Sequence, residues 1–351
     1  MFTRRKLQIT MALTLLFAML ISATAANAQA VTLGGTATIR DASGSALGAS
    51  NSLVLALTDA PSAGSGFRYE GWLVRSSGAK VSVGTFNGPS INGTWVSPTN
   101  ENLAANYGQL VLTKEPVPDP DPATSGAAVF SATIAAGVLG PFRSLLSDSS
   151  ATASDNGVAV ALHGQASVAA AHAALSKNSA LLADMQSHAQ HVINVIDGLG
   201  GPGDGVGLLA YADEAKIQAA AARANDPDNA TVVAGAAAVI TAADEIIVRA
   251  ESAKASAQLV IALSPTTSPT GTLADAYLGT VLSQSGLTVA AAAALYAAAQ
   301  DMGAFVPTDG SVASPSAGDE LVPMIALLAL AAGVLFTGGG FAMLRRRGVV
   351  A

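Results

Sequence analysis

The chain contains no cysteine, and it is poor in aromatic and in charged residues. Among its 351 residues, aromatic side chains make up 5% and charged side chains 12%. The absence of Cys excludes disulfides, thiol catalysis and thiolate metal sites. Both tryptophans, Trp72 and Trp95, lie in the first half, so we expect cores later in the chain to consist of small residues packed at close range.

Positive charge is also scarce. The chain has 17 Lys and Arg against 24 Asp and Glu, a net charge of −7, and a sequence pI near 5.0. Nucleic acids and anionic lipid surfaces attract positively charged proteins, so this balance argues against nucleic acid as a partner.

Long apolar segments are present at both ends. Residues 1–30 combine a basic start, an apolar run and Ala-x-Ala spacing, the pattern of a secretory signal peptide. Residues 321–344 are uncharged and precede three arginines. As a helix they would extend about 36 Å, enough to cross a hydrocarbon core of about 30 Å. Because clustered arginines favour the cytoplasmic side, we expect a single-pass cell-membrane protein, with the bulk of the chain extracytoplasmic and the C-terminus cytoplasmic.

Between these ends the apolar pattern changes its period. Early residues form short β-branched and aromatic runs separated by turn-forming clusters, whereas later apolar residues recur at helical spacing. We expect a mixed fold of two domains, a small all-β sandwich or barrel followed by an all-α up-and-down helical bundle, with one C-terminal transmembrane helix. The predicted division is a signal peptide at 1–30, a β domain at 31–139, a helical bundle domain at 140–302, a flexible tether at 303–320, a transmembrane helix at 321–344 and a cytoplasmic tail at 345–351.

Individual elements follow from the same patterns. The predicted strands are 31–40, 52–58, 67–74, 81–86, 110–113 and 127–134. The predicted helices are 156–177, 179–197, 208–224, 230–263, 272–285 and 287–302.

Four segments of the β part occur in an order and spacing shared with a known family. They read LVLALTD at 53–59, YEGWLV at 69–74, VGTF at 83–86 and LTKEP at 112–116, the last before a proline-rich loop. On these residues the region resembles the extracytoplasmic C-terminal domain of the anti-sigma-K factor family. The resemblance implies a β module that senses or binds at the surface of a bacterial cell.

The chain departs from that family at its beginning. Members that restrain a sigma factor carry a cytoplasmic helical domain before their span, and here a signal peptide occupies that place. We therefore expect no sigma factor as a partner. The helical half is similar to uncharacterised bundles of bacterial surface proteins, a likeness that implies no chemistry.

All four histidines fall within 29 residues. His188 and His191 are three residues apart on one predicted helix and so share a side. If the chain reverses near residue 178, His163 lies about 24 Å from the turn, His191 about 18 Å and His172 about 10 Å. This arithmetic predicts a metal site of His188, His191 and His163, for a transition metal or haem. The other interpretation is that the histidines are structural, each bonded to a neighbouring carbonyl or carboxylate.

Two further motifs bear on function. The chain has no Gly-x-Ser-x-Gly nucleophile elbow, and the glycine-rich segment 198–207 lacks the Lys-Ser/Thr of a phosphate-binding loop. Residues 314–320 resemble a sortase sorting signal altered at Ser314 and Ala317; a retained membrane anchor is favoured over cleavage.

Together these observations predict a non-catalytic, membrane-anchored cell-surface protein, not an enzyme, that has no cofactor. Its β module would bind an unknown surface protein or ligand, and its helical bundle would serve as a spacer or second interaction surface. The alternative is a metal- or haem-binding bundle built on the clustered histidines. A third possibility is a hydrolase of the cell envelope.

Overall fold

The computed structural model describes residues 33–119, 123, 127–264 and 272–306. The predicted signal peptide, transmembrane helix and cytoplasmic tail, and the tether from residue 307 onward, lie outside the described residues. Every described residue falls within one compact unit of the chain, Gln29–Ser311.

The first part of the described chain is built of β-strands, which confirms the expectation of an N-terminal β region. The strands are β1 (Gly34–Arg40), β2 (Ser52–Thr58), β3 (Phe67–Arg75), β4 (Lys80–Phe86), β5 (Ile91–Val96), β6 (Tyr107–Pro116) and β7 (Ala127–Thr133). They form two antiparallel sheets, with strand orders β1-β2-β5 and β4-β3-β6-β7. Inward-facing Leu55, Leu73 and Leu112 share one apolar core.

Strand β5 is absent from the predicted strands. Its sequence, INGTWV, places one buried residue, Ile91, beside exposed Asn92, Gly93 and Thr94, so it lacks the alternation typical of a half-buried strand. Pairing with β2 places it in the sheet instead. Local pattern failed here because a long-range partner, which no local window contains, specifies the strand.

The segments that carry the family resemblance lie largely in the interior. Leu53, Leu55 and Leu57 of β2 are buried, and Trp72 of β3 is 5% exposed. The Trp72 indole donates a 2.8 Å hydrogen bond to the Thr113 hydroxyl on the neighbouring strand. These residues therefore build the sheets, and a binding surface on this module would use other side chains.

Helices make up the second part, which confirms the predicted order of a β region followed by a helical one. Besides a short helix between β5 and β6, they follow one another from residue 136 onward. They are α1 (Leu103–Asn106), α2 (Ala136–Leu146), α3 (Val158–Asn178), α4 (Leu182–Asp197), α5 (Leu208–Asn225), α6 (Ala230–Ile261) and α7 (Thr272–Met302).

Helix α2 begins at Ala136, ahead of the residue 140 predicted for the helical part, and it contains Pro141. Proline has no N–H to bond the carbonyl four residues back, so it usually ends a helix. Here the carbonyl concerned, that of Gly137, accepts a 2.9 Å hydrogen bond from the Asn225 side chain. A partner from α5 thus replaces the missing backbone bond and lets the helix continue.

The prediction of two helices, 272–285 and 287–302, is wrong, because α7 runs unbroken through both. Gly286 costs the helix only about 1 kcal/mol relative to Ala. Buried residues on both sides of it, Val281 and Ala292 among them, face the core. Packing along this face outweighs the weak local preference for a break.

Helices α6 and α7 pack along their length through residues spaced alternately four and three apart. That spacing keeps one stripe facing a neighbour over many turns. Most of its members are small, so the backbones can approach closely. The buried stripe of α6 is Val232, Ala236, Val239, Ala243, Ile246, Ala250, Ala253, Ala257 and Val260; that of α7 is Ala274, Leu278, Val281, Ser285, Thr288, Ala292, Leu295, Ala299 and Met302.

The end of α7 connects directly to the first sheet. Ala37 of β1 and Phe305 exchange two backbone hydrogen bonds, of 3.0 and 2.8 Å. Arg40 forms an ion pair with Asp301, and the Tyr296 hydroxyl donates to Asp41 at 2.9 Å. The sheets and the helices therefore share one continuous core.

Three helices have the length and composition of membrane spans: α3, α6, and Leu273–Met302 of α7. Such apolar helices are consistent with membrane association. The single span predicted from the sequence is at residues 321–344, which lie outside the described part of the chain.

Two glycine-to-alanine substitutions test the close approach of α6 and α7. A Cβ at Gly235 would lie 2.7 Å from the Met302 Cα, whereas a Cβ at Gly286 meets nothing within 4 Å. We expect Gly235→Ala to lower the free energy of unfolding by about 1–3 kcal/mol through overpacking. Gly286→Ala should be neutral or stabilising by up to about 1 kcal/mol through helix propensity. Urea unfolding followed by circular dichroism measures both, and equal effects would contradict the close packing.

Candidate metal centre

Helices α3 and α4 form a hairpin whose axial register is fixed by a buried contact. The Ser176 hydroxyl donates a 2.6 Å hydrogen bond to the backbone oxygen of Met185, and Ser176 is fully buried. At the turn, the Ser179 hydroxyl donates a 2.7 Å hydrogen bond to the Leu175 carbonyl. A buried polar group must find its partner, so this contact sets which residues of the two helices face each other.

The register brings three histidines to one point. His172 lies six residues before the end of α3 and His188 six residues after the start of α4, each about 9 Å along its axis. The Nδ1 atom of His172 is 3.1 Å from Nδ1 of His188 and 3.3 Å from Nδ1 of His191. One possible ligand atom from each ring lies within 4.8 Å of the other two.

The structure places His172, not His163, beside the predicted pair of His188 and His191. His163 is nine residues earlier on α3, about 13.5 Å along the axis, and is not a member of the group. The predicted helix begins at residue 179, whereas α4 begins at Leu182. The later start moves both α4 histidines towards the turn, to the level of His172.

The electrostatic environment favours the metal-binding form of His172. Burial lowers the pKa of its imidazole from the ordinary value, and the neighbouring His191 and His188 lower it further. Metal ligation requires a neutral imidazole with a free lone pair. At neutral pH this ring is therefore ready to bind without first losing a proton.

Two of the three separations match those of a metal site. Tetrahedral coordination at 2.0–2.1 Å places ligand nitrogens roughly 3.3–3.4 Å apart, close to the 3.1 and 3.3 Å found between the Nδ1 atoms. Imidazole nitrogen suits zinc, copper, nickel and iron. All three rings are half-buried, so an ion could reach them from solvent.

A separate cleft of about 510 Å³ lies where the end of β7, the start of α6 and the end of α7 meet. Its lining includes Thr133, Asp226, Asp228 and Met302. None of its lining residues belongs to α3 or α4, so it is distinct from the histidine cluster. Asn229, which lines the cleft, caps the start of α6. Its side chain accepts hydrogen bonds from the backbone N–H groups of Thr231 and Val232.

No family model, curated protein or solved structure matches this chain. The resemblance of the β part to the anti-sigma-K factor family stays a prediction from its residues. Within the described residues, the histidine cluster is the group of side chains that could hold a metal ion.

Metal affinity should separate His172 from His163. Mutation of a residue that hydrogen-bonds a metal ligand lowers metal affinity about 10–100-fold. Loss of a ligand itself should lower the affinity at least as much. We expect His172→Gln to weaken Zn²⁺ or Cu²⁺ binding by more than about 100-fold, and His163→Gln, on the same helix, to leave it unchanged. Isothermal titration calorimetry on the full chain measures both. Equal affinities for the two variants would exclude this cluster as the site.

Proposed function

We propose that this chain is an exported, membrane-anchored, non-catalytic cell-surface protein whose helical bundle holds one transition-metal ion at His172, His188 and His191. The observation that carries the proposal is the convergence of three Nδ1 atoms, at 3.1 and 3.3 Å from the shared His172 atom. The β module would then be the sensing or binding part, joined to the metal-binding bundle through β1 and α7.

An ion explains the cluster better than hydrogen bonding among the three rings. A neutral imidazole nitrogen either carries a proton or offers one lone pair. The single Nδ1 of His172 faces two others, so it cannot make a full hydrogen bond to both. A metal ion accepts one lone pair from each ring and satisfies all three at once.

A bare ion is also favoured over haem. Axial haem ligands lie on opposite faces of a wide planar group. Here the ring centroids of His172 and His191 are 4.7 Å apart and those of His172 and His188 5.4 Å. Rings in such contact leave no space for a macrocycle between them.

We assign α3, α6 and α7 to a water-exposed bundle, with residues 321–344 as the single span. Ion pairs on the sides of these helices support the assignment, because charged side chains facing lipid are costly. Lys254 of α6 contacts Asp197 at 2.8 Å, and Arg249, near the middle of α6, contacts Glu245 of the same helix at 2.5 Å. Signal-peptide export followed by this span would place the metal centre outside the cytoplasm.

Reporter fusions in a bacterial host test the topology. Alkaline phosphatase, which is active only after export, should be active when fused after Val306 and inactive when fused after Ala351. The two fusions should differ in phosphatase activity because a membrane span lies between their junctions. Inactivity at Val306 would exclude export, and activity at Ala351 would exclude the C-terminal span.

Metal binding should stabilise the folded chain. A ligand that binds only the native state at 100 times its Kd adds about 2.7 kcal/mol to the free energy of unfolding. We expect the melting temperature of the full chain, purified in detergent, to rise when one equivalent of free Zn²⁺ is present. EDTA should reverse the shift.

The doubly substituted His188→Gln, His191→Gln chain should show no such shift, while His163→Gln should behave as the unsubstituted protein. A shift of equal size in the double variant would place the metal elsewhere and overturn the assignment. Metal analysis of the purified protein gives the stoichiometry, which we expect to be one.

A further inference from the structure

The histidine cluster has three members among residues 33–119, 123, 127–264 and 272–306. Structural zinc sites are closed by four protein ligands, whereas sites that exchange a ligand have three and hold water at the fourth position. Within the described chain, no carboxylate or further histidine joins His172, His188 and His191. An ion bound there would take its remaining ligand from solvent.

The three histidines come from two neighbouring helices. His188 and His191 project from the same side of α4, one turn apart, and His172 faces them from α3. On α3, Ala169 and Ala173 beside His172 are buried, whereas Ala171 and Leu175 are exposed. The cluster therefore lies at the rim of the bundle, with its free side towards solvent.

The burial of residues along α4 also places the cluster at the rim of the bundle. Met185, Ala189 and Val192 form the buried face of this helix, while Ser187 and Gln190 are exposed. The two α4 histidines are intermediate between these faces. An ion held by these residues would be bounded by the bundle on one side and reachable from solvent on the other.

The charge of such a centre favours an anion. Three neutral imidazoles leave the full 2+ charge of the metal uncompensated, and a bound cation is usually the largest charge in its surroundings. Nearby Lys177 is already paired with Asp275 at 2.6 Å. Asp184, four residues before His188, is exposed and is not a member of the cluster.

We infer that the metal ion held by His172, His188 and His191 keeps one solvent-facing coordination position that reversibly binds a small anion. The inference rests on the proposed metal-binding function, and it adds the class of ligand that the centre takes. Water would fill the position in the absence of an anion, and azide, formate or a similar small donor would replace it.

The test uses the full chain loaded with one equivalent of Co²⁺, whose visible absorption reports its coordination, and titrated with sodium azide. We expect a saturable spectral change with a stoichiometry of one azide per cobalt. The His163→Gln chain should give the same curve. The His188→Gln, His191→Gln chain should bind no cobalt and show no azide-dependent change beyond that of free Co²⁺.

Two negative results have different meanings. Stoichiometric cobalt binding with a spectrum that azide leaves unchanged would overturn the open position and leave the metal centre standing. Failure of the unsubstituted chain to bind cobalt, zinc or copper would overturn the metal centre itself and the open position with it.

Discussion

Close contact between alanine-lined helix faces is the constraint on which the rest of this structure depends. A chain without cysteine and with few aromatic residues has no disulfides and few large aromatic side chains to stabilise its helical part. Dispersion contacts are individually small and accumulate only at short range. The alternating four- and three-residue spacing on α6 and α7 keeps small residues in contact over most of both helices. At Gly235 the approach is close enough that a methyl group would displace the backbone of Met302.

The metal centre depends on this packing through the register of one hairpin. Helix α3 lies against α7 and α4, and the buried Ser176 hydroxyl ties it to the Met185 carbonyl. A shift of one helical turn, about 5.4 Å, would separate His172 from His188 and His191. Packing of the core therefore positions the cluster at the surface of the bundle. There the polar rings can be half-buried without interrupting the apolar stripe. The joint between β1 and the end of α7 makes the sheets part of the same core.

Much of the fold could be predicted because it depends on local pattern. Short apolar and aromatic runs between turn signals specify β2 and β3, and helical spacing specifies α3, α5 and α6, with ends within a few residues of those predicted. The failures occurred where a distant partner decides. Strand β5 needs β2 beside it, α2 needs Asn225 to complete the bonding around Pro141, and α7 continues through Gly286 because both of its halves pack into the core. In each case the local preference is worth about 1–3 kcal/mol, less than the packing that opposes it.

The candidate site shows the same division. The sequence by itself determined that His188 and His191 lie one turn apart on one side of a helix, since the helical period fixes directions around an axis. It also determined that no metal site here can use cysteine thiolate, because the chain has no cysteine. Only the tertiary structure decided that His172, and not His163, completes the cluster. Periodicity contains no information about how far one helix is displaced along its neighbour, and that displacement is set by the length of the turn and by the contact between Ser176 and Met185.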